Sequence, residues 1–360
     1  MKHFYYLCLL FSSLILSCKE ADFEPKNAVL NLEAVYHFDE IKEGNFIVQF
    51  SFDRNGVLWI ATFNNGLLRV ENGNVVAYNT SNSTIAGDMI NDLFIDHENQ
   101  VWVGTDLGFS VFKENSWLTY NMVNVPLFRD LISEICINKK GQILVGNGSS
   151  IGGGLSFFDG SEWKGITPGN SALPSSIINE IETDANGDFW IGTAMFQGSG
   201  GLTKLSDGEI RQVYSQDQSE LLYNAVDHIE VNEQEVWLGY SIPYINMTGI
   251  ADGGLQKISL SNEKVESFFP YDTKLLSNRI KGLKVTSSGD IWFITTPDDP
   301  FCIDCISGIG LMDKQGQFTV YSGVNDELPL NQYFAWLDEY QSEIYVASER
   351  EIMKVVRTNR

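Results

Sequence analysis

The chain alternates short apolar runs with polar turns, and one version of this pattern recurs seven times. In each copy an apolar run ends in a turn, a Trp-apolar-Gly-Thr step follows, and then come a Gly-Leu pair and an aromatic residue. Short strands repeated at this period indicate the four-stranded blades of a β-propeller. The large residues that mark the second run lie 42 to 55 residues apart: Trp59, Trp102, Leu144, Trp190, Trp237, Trp292 and Tyr345.

The two ends of the chain predict how the ring closes. The seventh copy ends after the run from Ile352 to Val356 and lacks a closing strand, whereas a matching segment, Ala34 to Tyr36, lies near the N-terminus. Each closing aromatic precedes the next large residue by 23 or 24 residues, Tyr36 and Trp59 included. We therefore predict an all-β, seven-bladed propeller over residues 31 to 356. Its N-terminal strand would complete the last blade and leave no open sheet edge.

Residues 1 to 17 have the pattern of an export signal. Lys2 precedes an apolar run, Phe4 to Leu16, that is too short to cross a bilayer. The run ends in Ser17-Cys18, which resembles a bacterial lipoprotein signal, and an ordinary secretory signal is the alternative. We predict lipidation at Cys18, a tether over 18 to 30, a tail over 357 to 360, and an outer-membrane lipoprotein on its periplasmic or cell-surface side. The lipid would be the chain's contact with the membrane.

The formal net charge of −23 narrows the class of partner. A surface this acidic repels phosphate backbones, so we expect no nucleic-acid partner. The same argument disfavours, less firmly, uronic-acid or sulfated polysaccharides. Neutral glycans, peptides, cations and basic partners stay open as ligands, and the favoured explanation of the acidity is that it keeps an exported protein soluble.

The cysteines carry two further predictions. Cys302 and Cys305 form a C-x-x-C pair in an exported protein, for which a loop disulfide is the expected state and a redox-active dithiol the alternative. Cys136 falls in an inner strand and is expected to be a small buried side chain.

The longest predicted loops point to a binding surface. If the strands of a blade are lettered a to d from the axis outward, the b–c loops of blades 4 to 6 are the long ones. Long loops on a rigid ring often hold binding residues, although variation in tolerant surface loops explains their length equally well. The candidate ligand-binding residues are Met195, Phe196, Tyr240, Tyr244, Asn246, Asp298, Asp299 and Phe301.

The innermost strands carry a second candidate site. Alignment of strand a places Gln49, Asp92, Glu134, Glu180, His228, Gly282 and Ala335 at one position, after a row that ends in Phe334. Asp92, Glu134, Glu180 and His228 are metal-compatible side chains on four consecutive blades, and calcium is the candidate cation, although polar rows also simply line a water-filled channel. For catalysis, His228 is the histidine placed for acid–base chemistry, with Glu180 and Asp227 as neighbours. A lyase or hydrolase centred on His228 is therefore the alternative to a binding function.

The best copies of the repeat, Ile178 to Thr193 and Ile90 to Thr105, resemble the two-component regulator propeller repeat of Bacteroidetes sensors. The resemblance covers residues 31 to 356 and implies a propeller that binds a ligand, with an association to carbohydrate use. Those sensors carry more repeats, then a membrane helix and a kinase, whereas a single ring of seven repeats is predicted here. The resemblance therefore implies a stand-alone module that binds a glycan, peptide or protein. A weaker similarity to streptogramin lyase propellers lies in Trp292 to Thr295.

Overall fold

The computed structural model of the chain describes residues 28–147, 152–193, 200–241, 254–268, 279–296, 308–322 and 334–359. These residues form seven antiparallel sheets of four strands each. The innermost strands of neighbouring sheets contact each other all the way round the ring. The predicted seven-bladed β-propeller is confirmed.

The strands follow the chain from blade to blade after β1 (Ala28–His37). Blades 1 and 2 consist of β2 (Ile47–Phe52), β3 (Leu58–Thr62), β4 (Leu67–Glu71), β5 (Asn74–Tyr78), β6 (Ile90–Ile95), β7 (Val101–Thr105), β8 (Gly108–Lys113) and β9 (Ser116–Tyr120). Blades 3 and 4 consist of β10 (Glu134–Ile137), β11 (Ile143–Asn147), β12 (Gly154–Phe158), β13 (Trp163–Ile166), β14 (Ile178–Thr183), β15 (Phe189–Thr193), β16 (Gly201–Ser206) and β17 (Glu209–Tyr214).

Blades 5 and 6 consist of β18 (His228–Val231), β19 (Glu235–Tyr240), β20 (Gly254–Ser259), β21 (Val265–Phe268), β22 (Arg279–Val285), β23 (Ile291–Thr296), β24 (Gly308–Met312) and β25 (Phe318–Ser322). Blade 7 consists of β26 (Trp336–Tyr340), β27 (Glu343–Ala347), β28 (Glu351–Asn359) and β1. One helical turn, α1 (Gln216–Ser219), lies between blades 4 and 5. Within the described part of the chain, no helix is long and apolar enough to span a bilayer.

The N-terminal strand closes the ring as predicted. β1 pairs antiparallel with β28, from Ala28 opposite Asn359 to His37 opposite Glu351. The paired segments extend three residues beyond the predicted limits of 31 and 356 at each end. Leu30 of β1 is fully buried in the cluster that joins blades 6 and 7, so this strand contributes to the core as well as to the edge.

The Gly-Leu pair recurs because the blade geometry leaves no room for a side chain at the glycine. Gly66 has a φ of +74°, and a Cβ there would collide with the backbone carbonyl of Tyr78, the closing aromatic. Gly108 stands in the same relation to Tyr120. A left-handed backbone conformation and a close strand contact together select glycine.

Candidate functional site

The seven innermost strands bring polar side chains from separate blades to the propeller axis. They line a cavity of 290 Å³. The pairing of strand a with strand b defines an axial ring of equivalent residues: Gln49, Asp92, Glu134, Glu180, His228, Gly282 and Trp336. Six of these seven positions are the predicted ones.

Blade 7 departs from the predicted alignment by one residue. Trp336, and not Ala335, lies opposite Ala347 and lines the cavity, while Phe334 is buried in the core. The reason is a shorter hairpin, because only Gln341 and Ser342, both at positive φ, join β26 to β27. The sequence alignment counted back from the large residue of strand b and assumed a longer turn. It therefore selected Ala335, which lies one residue before the true axial position.

A second ring of residues, the deep ring, lies two positions further along each strand a and was not identified from the sequence. Because side chains two positions apart lie on the same face of a strand, the axial ring is enough to predict it. Lys284 ion-pairs with Glu230 at 2.9 Å and with Asp338 at 3.5 Å across three blades. The members of the deep ring are Ser51, Phe94, Cys136, Glu182, Glu230, Lys284 and Asp338.

Several axial side chains join one blade to the next. The Gln49 amide donates to Leu93 O and accepts from Leu93 N, both at 2.9 Å. Ile135 N donates to Asp92 Oδ2 at 2.8 Å, and Asn91 Nδ2 donates to Ile132 O at 2.8 Å. Strand a is the edge of every sheet, so its free N–H and C=O groups need partners from the neighbouring blade. Part of the axial polarity is therefore structural.

The structure brings His228 and Glu180 into contact. His228 Nδ1 lies 3.1 Å from Glu180 Oε2, and 17% and 16% of the two side chains stay exposed. Asp227, the third residue of this candidate set, accepts hydrogen bonds from Ser241 N at 2.7 Å and from Asn179 Nδ2 at 3.2 Å. Two of the three residues therefore touch, and Asp227 is turned toward the ends of the neighbouring strands.

Burial shifts the pKa values of the ionisable groups in this site so that their neutral forms are favoured. It lowers the pKa of His228 to about 4, so the imidazole is neutral at pH 7. It raises the pKa of Asp92 to about 7 and holds the pKa of Glu134, Glu180 and Glu182 well above the usual range. A neutral imidazole can act as a proton acceptor, and protonated carboxyl groups can donate hydrogen bonds.

The metal prediction rests on Asp92, Glu134, Glu180 and His228, which lie on the axial ring. Among the residues that the structure describes, no three His, Cys, Asp or Glu side chains are grouped so that they could hold a metal ion. Asp92 and Glu180 already accept backbone N–H groups of the next blade, from Ile135 and Ile229 respectively. A calcium ion stays a prediction from the sequence.

Most of the predicted loop residues lie outside the described ranges: Met195, Phe196, Tyr244, Asn246, Asp298, Asp299 and Phe301, together with Cys18, Cys302 and Cys305. Tyr240 is described, and its side chain is fully buried. Its hydroxyl donates to Gln256 Oε1 inside blade 5. Tyr240 is thus a core residue and not part of an exposed surface. Cys136 is a buried free thiol, as predicted.

No known family profile matches the chain, and no curated protein sequence is significantly similar to it. Solved structures share its fold. The extracellular domain of a hybrid two-component system, BT3049, from B. thetaiotaomicron is 20% identical, with a TM-score of 0.66 over 91% of this chain and 41% of that domain. The extracellular domain of a one-component system, BT4673, from the same organism is 17% identical, with a TM-score of 0.65 over 90% of this chain and 42% of that domain.

A catalytically inactive His-to-Ala variant of virginiamycin B lyase from Staphylococcus aureus, solved with quinupristin, also has this fold. It is 14% identical, with a TM-score of 0.65 over 91% of this chain and 99% of the lyase. At these identities the similarity establishes the fold alone. The chain spans about two fifths of the length of the extracellular domains that it resembles.

Proposed function

We propose that this propeller is an extracytoplasmic ligand-binding module, anchored to the outer membrane through Cys18. Its ligand enters the axial cavity at the face of the b–c loops and also contacts the loops of blades 4 to 6. The observation that carries the proposal is the His228–Glu180 contact in a polar cavity of 290 Å³. Partly exposed groups that converge in a concave site are typical of small-ligand recognition.

The lining of the cavity favours a hydroxyl-rich ligand. Asn91, Asn179, Glu180 and His228 line the cavity and carry hydrogen-bond donors and acceptors. Aliphatic ligands gain little in such a site, since they would remove these groups from water without replacing their hydrogen bonds. A glycan is therefore the first candidate, and a peptide or protein segment rich in polar groups is the second.

Thermal unfolding of the full chain in detergent tests the proposal. The probes are maltohexaose, xylohexaose and mannohexaose, with and without calcium. A probe at 100 times its dissociation constant adds about 2.7 kcal/mol of stability, which is readily seen as an upward shift of Tm.

His228→Ala and Glu180→Gln should abolish the shift, whereas His97→Ala should keep it. His97 is an exposed histidine in the a–b turn of blade 2, at the opposite end of the strands. An equal shift in wild type and His228→Ala would place the ligand elsewhere. The absence of a shift with all three glycans would favour a peptide or protein partner.

A second candidate function is catalysis at His228. The contact between His228 and Glu180 favours it, because a neutral imidazole held by a carboxyl group is a usual general base. Such an enzyme would be a lyase or hydrolase that converts a bound oligosaccharide or lactone. Mass spectrometry of any probe that stabilises the protein would detect a product, and that product should be absent with His228→Ala. Unchanged probe after long incubation would leave binding as the function.

A further inference from the structure

Trp336 is unlike the other tryptophans of the propeller. It lies on an innermost strand, β26, at the axial position of blade 7. The five tryptophans of strand b are core residues that are between 1% and 7% exposed, and two more lie on outermost strands, so a repeated packing role does not account for Trp336. The tryptophans of strand b are Trp59, Trp102, Trp190, Trp237 and Trp292, and those of the outermost strands are Trp117 and Trp163.

Trp336 also departs from the structural role of the axial ring. At blades 1, 2 and 4 the axial side chain accepts the backbone N–H that follows the axial position of the next blade: Gln49 from Leu93, Asp92 from Ile135 and Glu180 from Ile229. An indole ring has a donor and no acceptor, so Trp336 cannot make this bond to blade 1. The presence of a tryptophan here therefore needs another explanation.

The surface of Trp336 is divided between the core and the axial cavity. The residue packs against the apolar cluster between blades 7 and 1, which includes Ile47 and Phe50. It also lines the axial cavity and is only partly buried. An aromatic ring supported by the core keeps a fixed orientation, so it offers a rigid apolar surface to a ligand in the cavity.

Hydrogen-bonding groups lie across the axis from Trp336. The innermost strands contact each other in the order β2, β6, β10, β14, β18, β22 and β26, which places blades 3 and 4 opposite blade 7. Glu134 and Glu180 occupy the axial positions of those two blades, and His228 of blade 5 contacts Glu180 at 3.1 Å. The cavity thus has an aromatic group on one side and polar groups on the other.

This combination suits one sugar ring. A pyranose has C–H groups on its faces and hydroxyl groups at its edge, and the negative face of an indole attracts polarised C–H groups. The cavity of 290 Å³ is at the lower limit of small-ligand sites, about 300 to 1,000 Å³, so it holds a single ring and not a long chain. Burial favours the neutral forms of Asp92, Glu134 and Glu180, which favours a neutral sugar over an organic cation.

We infer that Trp336 is the stacking platform for one neutral pyranose unit of the ligand, whose hydroxyl groups bind Glu134, Glu180 and His228 on the opposite side of the cavity. The inference rests on the proposed function, and it narrows the ligand from a hydroxyl-rich molecule to one that carries a flat sugar ring. An acyclic polyol has similar hydroxyl groups but no ring face, so a comparison of the two classes separates stacking from hydrogen bonding.

Matched probes test the stacking. Methyl β-D-glucopyranoside and D-glucitol are both neutral and rich in hydroxyl groups, and only the first has a ring. Isothermal titration calorimetry with the full chain should show the glucoside binding at least about tenfold more tightly, because only the glucoside covers the indole face. Equal affinities would overturn the inference. Tighter binding of choline than of the glucoside would also overturn it, because an indole among carboxylates would then select an organic cation.

Variants of the tryptophan localise the effect. Trp336→Leu should remove the preference for the glucoside, because leucine packs against the core but lacks the ring face. Trp336→Phe should retain the preference within about threefold, since it keeps an aromatic face. Trp163→Leu is the matched control, because it makes the same substitution on β13, the outermost strand of blade 3, and it should bind like the wild type. An unchanged preference in Trp336→Leu would overturn the platform and leave the proposed function intact.

Proton NMR of the bound glucoside gives a readout that a purely structural role of Trp336 would not produce. The ring current of the indole should shift the hydrogens of one face of the sugar upfield, and this shift should be absent in Trp336→Leu. Equal shifts on both faces would contradict stacking.

The three hexasaccharides separate failure of the platform from failure of the proposed function. If one of them stabilises the wild type and not Trp336→Leu, the platform is supported, whereas equal stabilisation of the two proteins overturns the platform alone. If neither the glucoside nor any hexasaccharide binds, the platform fails together with the glycan ligand, and the binding function is left to a peptide or protein partner.

Discussion

Single turn residues hold the Trp of strand b in place. Asp96 accepts hydrogen bonds from Glu98 N and Gln100 N through Oδ1, and from Trp102 Nε1 at 2.8 Å through Oδ2. Asp53 and Asp184 make the same set of bonds to their turns and to Trp59 and Trp190. One carboxylate thus closes a turn and fixes the indole that packs between two blades.

Asp96→Ala should destabilise the propeller by about 2 to 4 kcal/mol, since it leaves two backbone N–H groups and one indole N–H without their acceptor. Glu98→Ala, an exposed neighbour in the same turn, should change the stability by less than about 0.5 kcal/mol. Urea unfolding followed by Trp fluorescence measures both. Equal effects of the two substitutions would show that the turn carboxylate is dispensable.

Among the elements, β1 is the one whose position in the sequence and position in the fold are furthest apart. It begins the described chain and completes the last blade, where Leu30 packs in the cluster that includes Trp292 and Val346. The pairing with β28 is long, from Ala28 to His37. Ring closure by β1 therefore makes the stability of blades 6 and 7 depend on the N-terminus.

Leu30→Ala should lower the free energy of unfolding by about 2 to 5 kcal/mol, which is the usual cost of a cavity at a buried leucine. The control is Leu118→Ala, because Leu118 also lies on an outermost strand but is 48% exposed. Chemical denaturation should show one transition for both variants. A Leu30→Ala protein as stable as the control would mean that β1 frays without affecting the ring.

At the scale of the whole molecule, the convergence of seven blades concentrates carboxyl groups on the axis. Burial raises the pKa of Glu134, Glu180, Glu182 and Glu230, and the charge of Lys284 opposes the shift at Glu230. These four groups come from three neighbouring blades, so the effect exists only in the closed ring. The axis consequently makes the stability of the protein depend on pH.

Asp92 shows the direction of this dependence. Its pKa is about 7 in the folded chain against an ordinary value of 3.8, because burial disfavours the carboxylate. The folded state keeps a proton that the unfolded chain releases above about pH 4, so this contribution to stability is lost as the pH rises from 4 to 7. Asp92→Asn should flatten that part of the stability profile.

The measurement is urea unfolding at several pH values between 4 and 8. Asp39→Asn serves as the control, because the Asp39 side chain is 98% exposed. It should leave the slope unchanged. A slope for Asp92→Asn equal to that of the wild type would contradict the raised pKa.

The sequence alone was sufficient for the blade number, the four-stranded blades, the closing strand and six of the seven axial-ring positions. Each of these depends on local periodicity. The Trp of strand b, the Gly-Leu pair and the spacing of the aromatics recur because every blade has the same four strands and packs against its neighbours in the same way.

Only the tertiary structure decided how the axial residues are arranged. The two-residue turn after Tyr340 moved Trp336, in place of Ala335, to the axis, and no residue count reveals such a turn. The contact between His228 and Glu180 and the core position of Tyr240 depend on neighbouring blades. A repeat pattern describes one blade, whereas charge, burial and contact at the axis arise between blades.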